Sequence, residues 1–204
     1  MSEREQDVVD VVFSVAGVSL PENYPLPLMR ALVKNLPWLE SDPDAGVHPM
    51  RGAPTTYGVV LLPRRAKLAL RLPERRVAEA LSLSGRLLEI GSSALSVGSG
   101  AVRALRPYGA LYARFVATGC EQEDAFLSSV TEQLAALAAR CALVCGRRQR
   151  LQADGREILG FSLMVHDLTA EHSLLLQRVG LGADRKLGCG IFVPHRLAAA
   201  VGSA

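Results

Sequence analysis

Between residues 8 and 15 the chain reads Val-Val-Asp-Val-Val-Phe-Ser-Val, a β-branched run interrupted only by Asp10 and Ser14 and ended by Gly17. Such a stretch predicts a mostly buried strand. A change of period follows. Pro25 and Pro27 can open a helix within its first turn, Leu28, Ala31, Leu32 and Leu36 recur at helical spacing, and Pro37 closes it. Residues 40–55 keep neither period. Their prolines (Pro43, Pro49, Pro54) and glycines (Gly46, Gly52) predict a long loop that carries His48, Met50 and Arg51. Beyond it the pattern predicts strands at 57–62 and 67–72 about a basic turn at 63–65. A short helix over 73–83 and strand-like pieces at 87–90 and 95–97 come next.

The order then repeats. A strand at 111–116 leads to the best helix of the chain, 121–140, with Phe126, Val130, Leu134, Leu137 and Cys141 on one stripe. Acids fill its first turn and Arg140 its last, as the macrodipole favours. Segments 142–150 and 157–165 form a hairpin about Asp154-Gly155, a helix covers 170–179, and a closing strand covers 189–193. The fold class is therefore α+β, with tandem ferredoxin-like (RRM-like) βαββαβ units. Residues 1–100 make an N-terminal unit holding the long loop, and 101–204 make a C-terminal unit, with the boundary inside 98–106.

Composition narrows the class. At 49% hydrophobic and 21% charged the chain of 204 residues can bury ordinary cores. No apolar run is long enough for a bilayer, and acids follow Met1 where a signal peptide carries positive charge. The expectation is a soluble, cytoplasmic protein. Four cysteines (Cys120, Cys141, Cys145, Cys189) without a zinc-finger spacing read as reduced, mostly buried thiols, and no metal or other cofactor is expected.

The net charge of +3 conceals a pattern. Residues 1–50 hold three Lys/Arg against eight Asp/Glu, whereas 51–76 hold seven against Glu74 alone. A second surplus lies between 140 and 196 and includes Arg147, Arg148 and Arg150. Two basic patches on a nearly neutral chain suit a polyanion, although arginines also keep strand edges soluble.

The stretch GLGADRKLGCGIFVPHR, residues 180–196, sets four glycines about Arg185 and Lys186. A dinucleotide fingerprint and a Walker loop both require strand before glycines before helix, and here the order is reversed. Two readings stay open. One is a nest in which amides near Gly182, Gly188 and Gly190 hold phosphate oxygens. The other is a helix C-cap followed by a strand-start glycine.

At the end of a repeated βαββαβ chain, this stretch resembles the C-terminal glycine-rich loop of the RAMP superfamily. Together with LPW (36–38), VHPMRG (47–52), LYARF (111–115), CGRR (145–148) and GFSLMVH (160–166), it is similar to CRISPR-associated endoribonucleases of the MYXAN subtype, which cut precursor CRISPR RNA. The resemblance spans nearly the whole chain. It implies cleavage without metal: the ribose 2′-hydroxyl attacks the adjacent phosphorus, the 5′-oxygen leaves, and a 2′,3′-cyclic phosphate forms. That chemistry asks for a base near neutral pH, a cation for the phosphorane and a proton donor.

His48, in the loop after the first helix, is the implied base, and Arg51 the implied cation. Family members often use lysine there, and arginine cannot give up a proton, so the donor is unassigned. Tyr24 and Tyr57 are candidates to complete the site. His166, His172 and His195 read as structural or as phosphate contacts. Arg64, Arg65, Arg147, Arg148 and Arg150 would grip a repeat hairpin, while Arg185 and Lys186 track its backbone. The implied partners are CRISPR repeat RNA, the mature guide RNA and other subunits of a type I effector complex. Few aromatics, 5%, argue against base-stacking recognition. A non-catalytic RNA-binding scaffold and an unrelated tandem ferredoxin-like protein are the competing readings.

Overall fold

The computed structural model describes residues 7–195. In chain order the first half forms β1 (Val8–Ala16), β2 (Ser19–Pro21), α1 (Pro25–Asn35), α2 (Trp38–Ser41), β3 (Gly46–Val47), β4 (Ala53–Pro54), β5 (Val59–Leu61), β6 (Lys67–Pro73), α3 (Val77–Leu81), β7 (Leu87–Ile90) and β8 (Ser93–Ala104). The second half forms β9 (Ala110–Ala117), α4 (Glu123–Ala136), β10 (Ala142–Ala153), β11 (Arg156–His166), α5 (Ala170–Val179) and β12 (Val193–Pro194).

Alternation along β1 decides how the first half packs. Val9, Val11, Phe13 and Val15 enter a core with Leu28, Ala31 and Leu32 of α1 and Leu68, Leu70 and Leu72 of β6. Asp10, Val12 and Ser14 consequently lie on the opposite face. The strands run β3-β6-β1-β8-β7, all antiparallel. The second half repeats the plan with the order β10-β11-β9-β12, again antiparallel, over a core of Phe126, Val130, Leu134, Leu163, Val165 and Leu176. Both halves are ferredoxin-like.

Several elements differ from the sequence expectation. The strand expected at 57–62 leaves the main sheet: β5 pairs with β2 and β4 in a separate three-stranded sheet. Its place beside β6 falls to β3, from within the predicted loop. Gly46 lets the other half come close there, since a Cβ would lie 2.6 Å from Ile191 Cδ1. Second, β8 starts two residues before and ends seven residues after the expected 95–97, reaching Ala104, so 98–104 belong to the first sheet and the crossing is 105–109. The serines and glycines that hide this strand serve close approach: a Cβ on Gly100 would meet Phe13 Cε1 at 2.6 Å. Third, the closing strand shrinks from 189–193 to β12, because residues before it form a loop. Helix α4 also stops early, at Ala136, where Ala138 takes φ +52.

The four cysteines are free, and burial pushes the Cys189 thiol up to about 12. Among the described residues no helix is long and apolar enough to cross a membrane.

One side chain fastens the two halves. Arg71 of β6 is 1% exposed, yet its guanidinium donates to Asp10 Oδ1 at 2.8 Å and Oδ2 at 3.0 Å, to the Gln177 carbonyl at 2.9 Å and to the Phe192 carbonyl at 2.8 Å. Breaking a buried pair strands the remaining charge, so Arg71→Ala should lower the unfolding free energy by about 3–5 kcal/mol. Urea denaturation measures this, and a loss under about 1 kcal/mol would refute the strut.

Candidate active site and basic clefts

Pairing with β6 does not end at β3, because the His48 amide donates to the Ala69 carbonyl at 2.9 Å. Two residues on, the Met50 amide donates to Tyr24 Oη at 2.9 Å, and that hydroxyl donates back to the Met50 carbonyl at 3.4 Å. The histidine-bearing segment is thus pinned at both ends. Tyr24 is buried and spent on this task, while Tyr57 is 89% exposed at the far end of the β4–β5 hairpin.

His48 Nε2 lies 3.0 Å from Asp10 Oδ1. Burial pushes the imidazole below its ordinary value, and Arg71 and Arg185 add to this against the opposing pull of Asp10. Burial would raise the Asp10 carboxyl, but hydrogen bonds from His48 and Arg71 outweigh it and hold the group well below the usual carboxylate range. His48 and Asp10 border a cleft of about 550 Å³ whose other charged walls are Arg51, Arg65, Lys67 and Arg103. Among the described residues no carboxylate but Asp10 reaches it.

The basic run 51–76 therefore splits. Arg71, Arg75 and Arg76 are structural: the latter two flank buried Asp42 at 2.8 and 3.3 Å, and Arg76 also lies 5.0 Å from the Trp38 ring centre. Arg51, Arg64, Arg65 and Lys67 face solvent. In the second half Arg147 and Arg148 are exposed on β10, and Arg150 pairs with Glu157 at 2.8 Å. None of these three borders the His48 cleft. His166 lies 3.1 Å from Asp167, the His172 amide donates to the capping Thr169 hydroxyl, and His195 packs on Tyr112 at 5.8 Å, all outside that cleft.

The glycine-rich loop is not a nest of open amides, which corrects that reading. Gly182 donates to Gln133 Oε1, Ala183 to the Ala117 carbonyl, Gly188 to Arg185, Cys189 to Asp184 and Gly190 to Phe115. Gly188 and Gly190 are buried, and a Cβ on Gly190, at φ +66, would sit 2.3 Å from the Leu181 carbonyl oxygen. The loop instead backs the histidine segment, since Gly188 packs on Pro49 and Gly46 faces Arg185. Lys186 Nζ donates to the Glu40 carbonyl. Arg185 turns inward, its Nε and Nη2 buried without a partner among the described residues, and burial beside Arg71 brings it down to about 10. A second cleft, about 460 Å³, lies along this loop between Arg30 of α1 and Arg156, which pair with Asp154 and Asp184.

Sequence reasoning missed Asp10, Lys67, Arg71 and Arg103 as members of one neighbourhood. A signal existed for two of them. An acid inside VVDVV and an arginine inside LALRLP are charges in apolar strands, which must be paired. Among the described residues no group of three His, Cys, Asp or Glu could hold a metal ion.

The Cas6 CRISPR family model matches residues 9–197. A CRISPR-associated endonuclease Cas6 of Myxococcus xanthus (strain DK1622) is 38% identical over 196 residues, covering 96% of this chain and 85% of that protein. Among solved structures, a CRISPR-associated protein Cas6 aligns with TM-score 0.65 at 10% identity, covering 93% of this chain and all of the other. A RAMP protein binding different RNA substrates aligns with TM-score 0.62 at 14% identity, covering 90% and 98%.

The buried couple sets an acid limit to stability. His48 is held below its ordinary 6.5, so the unfolded chain takes up a proton first as pH falls through that value, and stability declines there. Asp10 is held below its ordinary 3.8, so its contribution is whole above that value and lost beneath it. Thermal midpoints should fall in two stages, the upper one absent in His48→Gln. A midpoint flat from neutral pH to 4 would contradict this.

Proposed function

The chain belongs to the Cas6 CRISPR family and is an endoribonuclease, and from that premise we propose that it cuts CRISPR repeat RNA within the precursor transcript, without metal, leaving a 2′,3′-cyclic phosphate. The observation that carries this reading is His48, set in a cleft walled by Arg51, Arg65, Lys67 and Arg103. Burial keeps its imidazole neutral near pH 7, the form that accepts a proton.

His48 takes the proton of the 2′-hydroxyl as that oxygen bonds to phosphorus. Arg51, with Arg65 and Arg103, offsets the charge that grows on the phosphorane oxygens. The bond to the 5′-oxygen then breaks, and that oxygen needs a proton. Lys67, on the same cleft wall, has one to give, which no arginine does. Exposed Arg64, Arg147 and Arg148 are left to hold the phosphates of the repeat hairpin, a contact made through backbone and shape.

His48→Ala should abolish cleavage of the repeat transcript while leaving its binding intact, and the native chain should cut in EDTA to give cyclic phosphate ends. Arg51→Ala should slow single-turnover cleavage on the order of 10²-fold. Product-end analysis on gels reads all three results. Full cutting by His48→Ala would remove the base, and tight repeat binding by a native chain that never cuts would favour the scaffold reading.

A further inference from the structure

Register sets Asp10 of β1 between Arg71 on β6 and Arg103 on β8. Its carboxylate is committed to two partners: both oxygens accept from Arg71, and Oδ1 also meets His48 Nε2 at 3.0 Å. Arg71 is itself immobile, since its remaining nitrogen donates to carbonyls at Gln177 and Phe192 in the second half. An ionised carboxylate only accepts hydrogen bonds. The ring nitrogen against it must therefore carry hydrogen, and in a neutral imidazole that leaves the lone pair on Nδ1.

We propose that Asp10 is the positioning residue of the cleavage reaction, holding His48 as its Nε2–H tautomer so that Nδ1 takes the 2′-hydroxyl proton, with Arg71 transmitting that alignment from the C-terminal half. This rests on the reading of His48 as the base. The proton moves from the 2′-oxygen to Nδ1, the P–O2′ bond forms, and the P–O5′ bond breaks as the 5′-oxygen is protonated by another group. Asp10 stays ionised throughout and stabilises the imidazolium that results. The charged groups that act on the ring are Asp10 from β1, Arg71 from β6 and Arg185 from the glycine-rich loop, and Arg51, Arg65, Lys67 and Arg103 share its cleft.

The test follows single-turnover cleavage of a repeat RNA against pH for the native chain, Asp10→Asn and His48→Ala, with RNA binding measured beside it. Asp10→Asn should bind the RNA yet lose on the order of 10²-fold in plateau rate. Its acid limb should also move to lower pH, because the lost charge had been raising the histidine. A native rate, or equal losses of binding and cutting with an unmoved limb, overturns the positioning role. Undiminished cutting by His48→Ala overturns instead the assignment of the base. Since Asp10→Asn leaves Arg71 without its counter-charge and can unfold the chain, nitrogen-15 NMR of the native protein supplies a second measurement. The Nε2–H tautomer at His48 is expected, and the Nδ1–H tautomer overturns the proposal.

Discussion

A guanidinium shut away from water costs heavily unless its nitrogens find acceptors, and the molecule supplies such acceptors to all three nitrogens of Arg71. One acceptor pair comes from the middle strand of the first sheet, and two carbonyls come from a helix and a loop of the second half. The need is geometric as well as energetic. It determines how close the halves approach, and it fixes the carboxylate on which the histidine leans.

Charge elsewhere divides by the same rule. Arginines that face buried acids, such as Arg75 and Arg76 at Asp42, hold the fold, whereas Arg51, Arg65 and Arg103 line the cleft. The positive field around His48 arises from this division: the nearby acid is already neutralised, so the cations on the walls stay available for phosphate. A charge count along the chain shows the surplus but not which half of it is spent.

Much of the fold was legible. The β-branched run of β1, the proline-opened α1, the Asp154-Gly155 hairpin and α5 all stand where the periods put them, because each is encoded over adjacent residues. What failed was encoded across distance. The glycines of β8 let Phe13 and Ser14 approach, and Gly46 of β3 abuts Ile191, and these neighbours are far away in sequence. The site shows the same limit. His48 and Arg51 could be singled out from one loop, and the structure sets both on one cleft, but Lys67 and Arg103 reach that cleft only through strand order. The glycine-rich loop was recognisable as a unit, while its task, bracing Pro49 from behind, was not.

That bracing leaves the loop without slack. Its amides are already engaged on Gln133, Ala117 and Phe115, and its turns stand against backbone atoms, so the number of residues between successive glycines acts as a ruler. A relative could exchange the exposed members of the loop freely, but one residue gained or lost would shift the ruler against β9 and move the wall behind the histidine. In this chain, then, the packing holds the spacing of the glycines together with buried Leu181 and Cys189 between them.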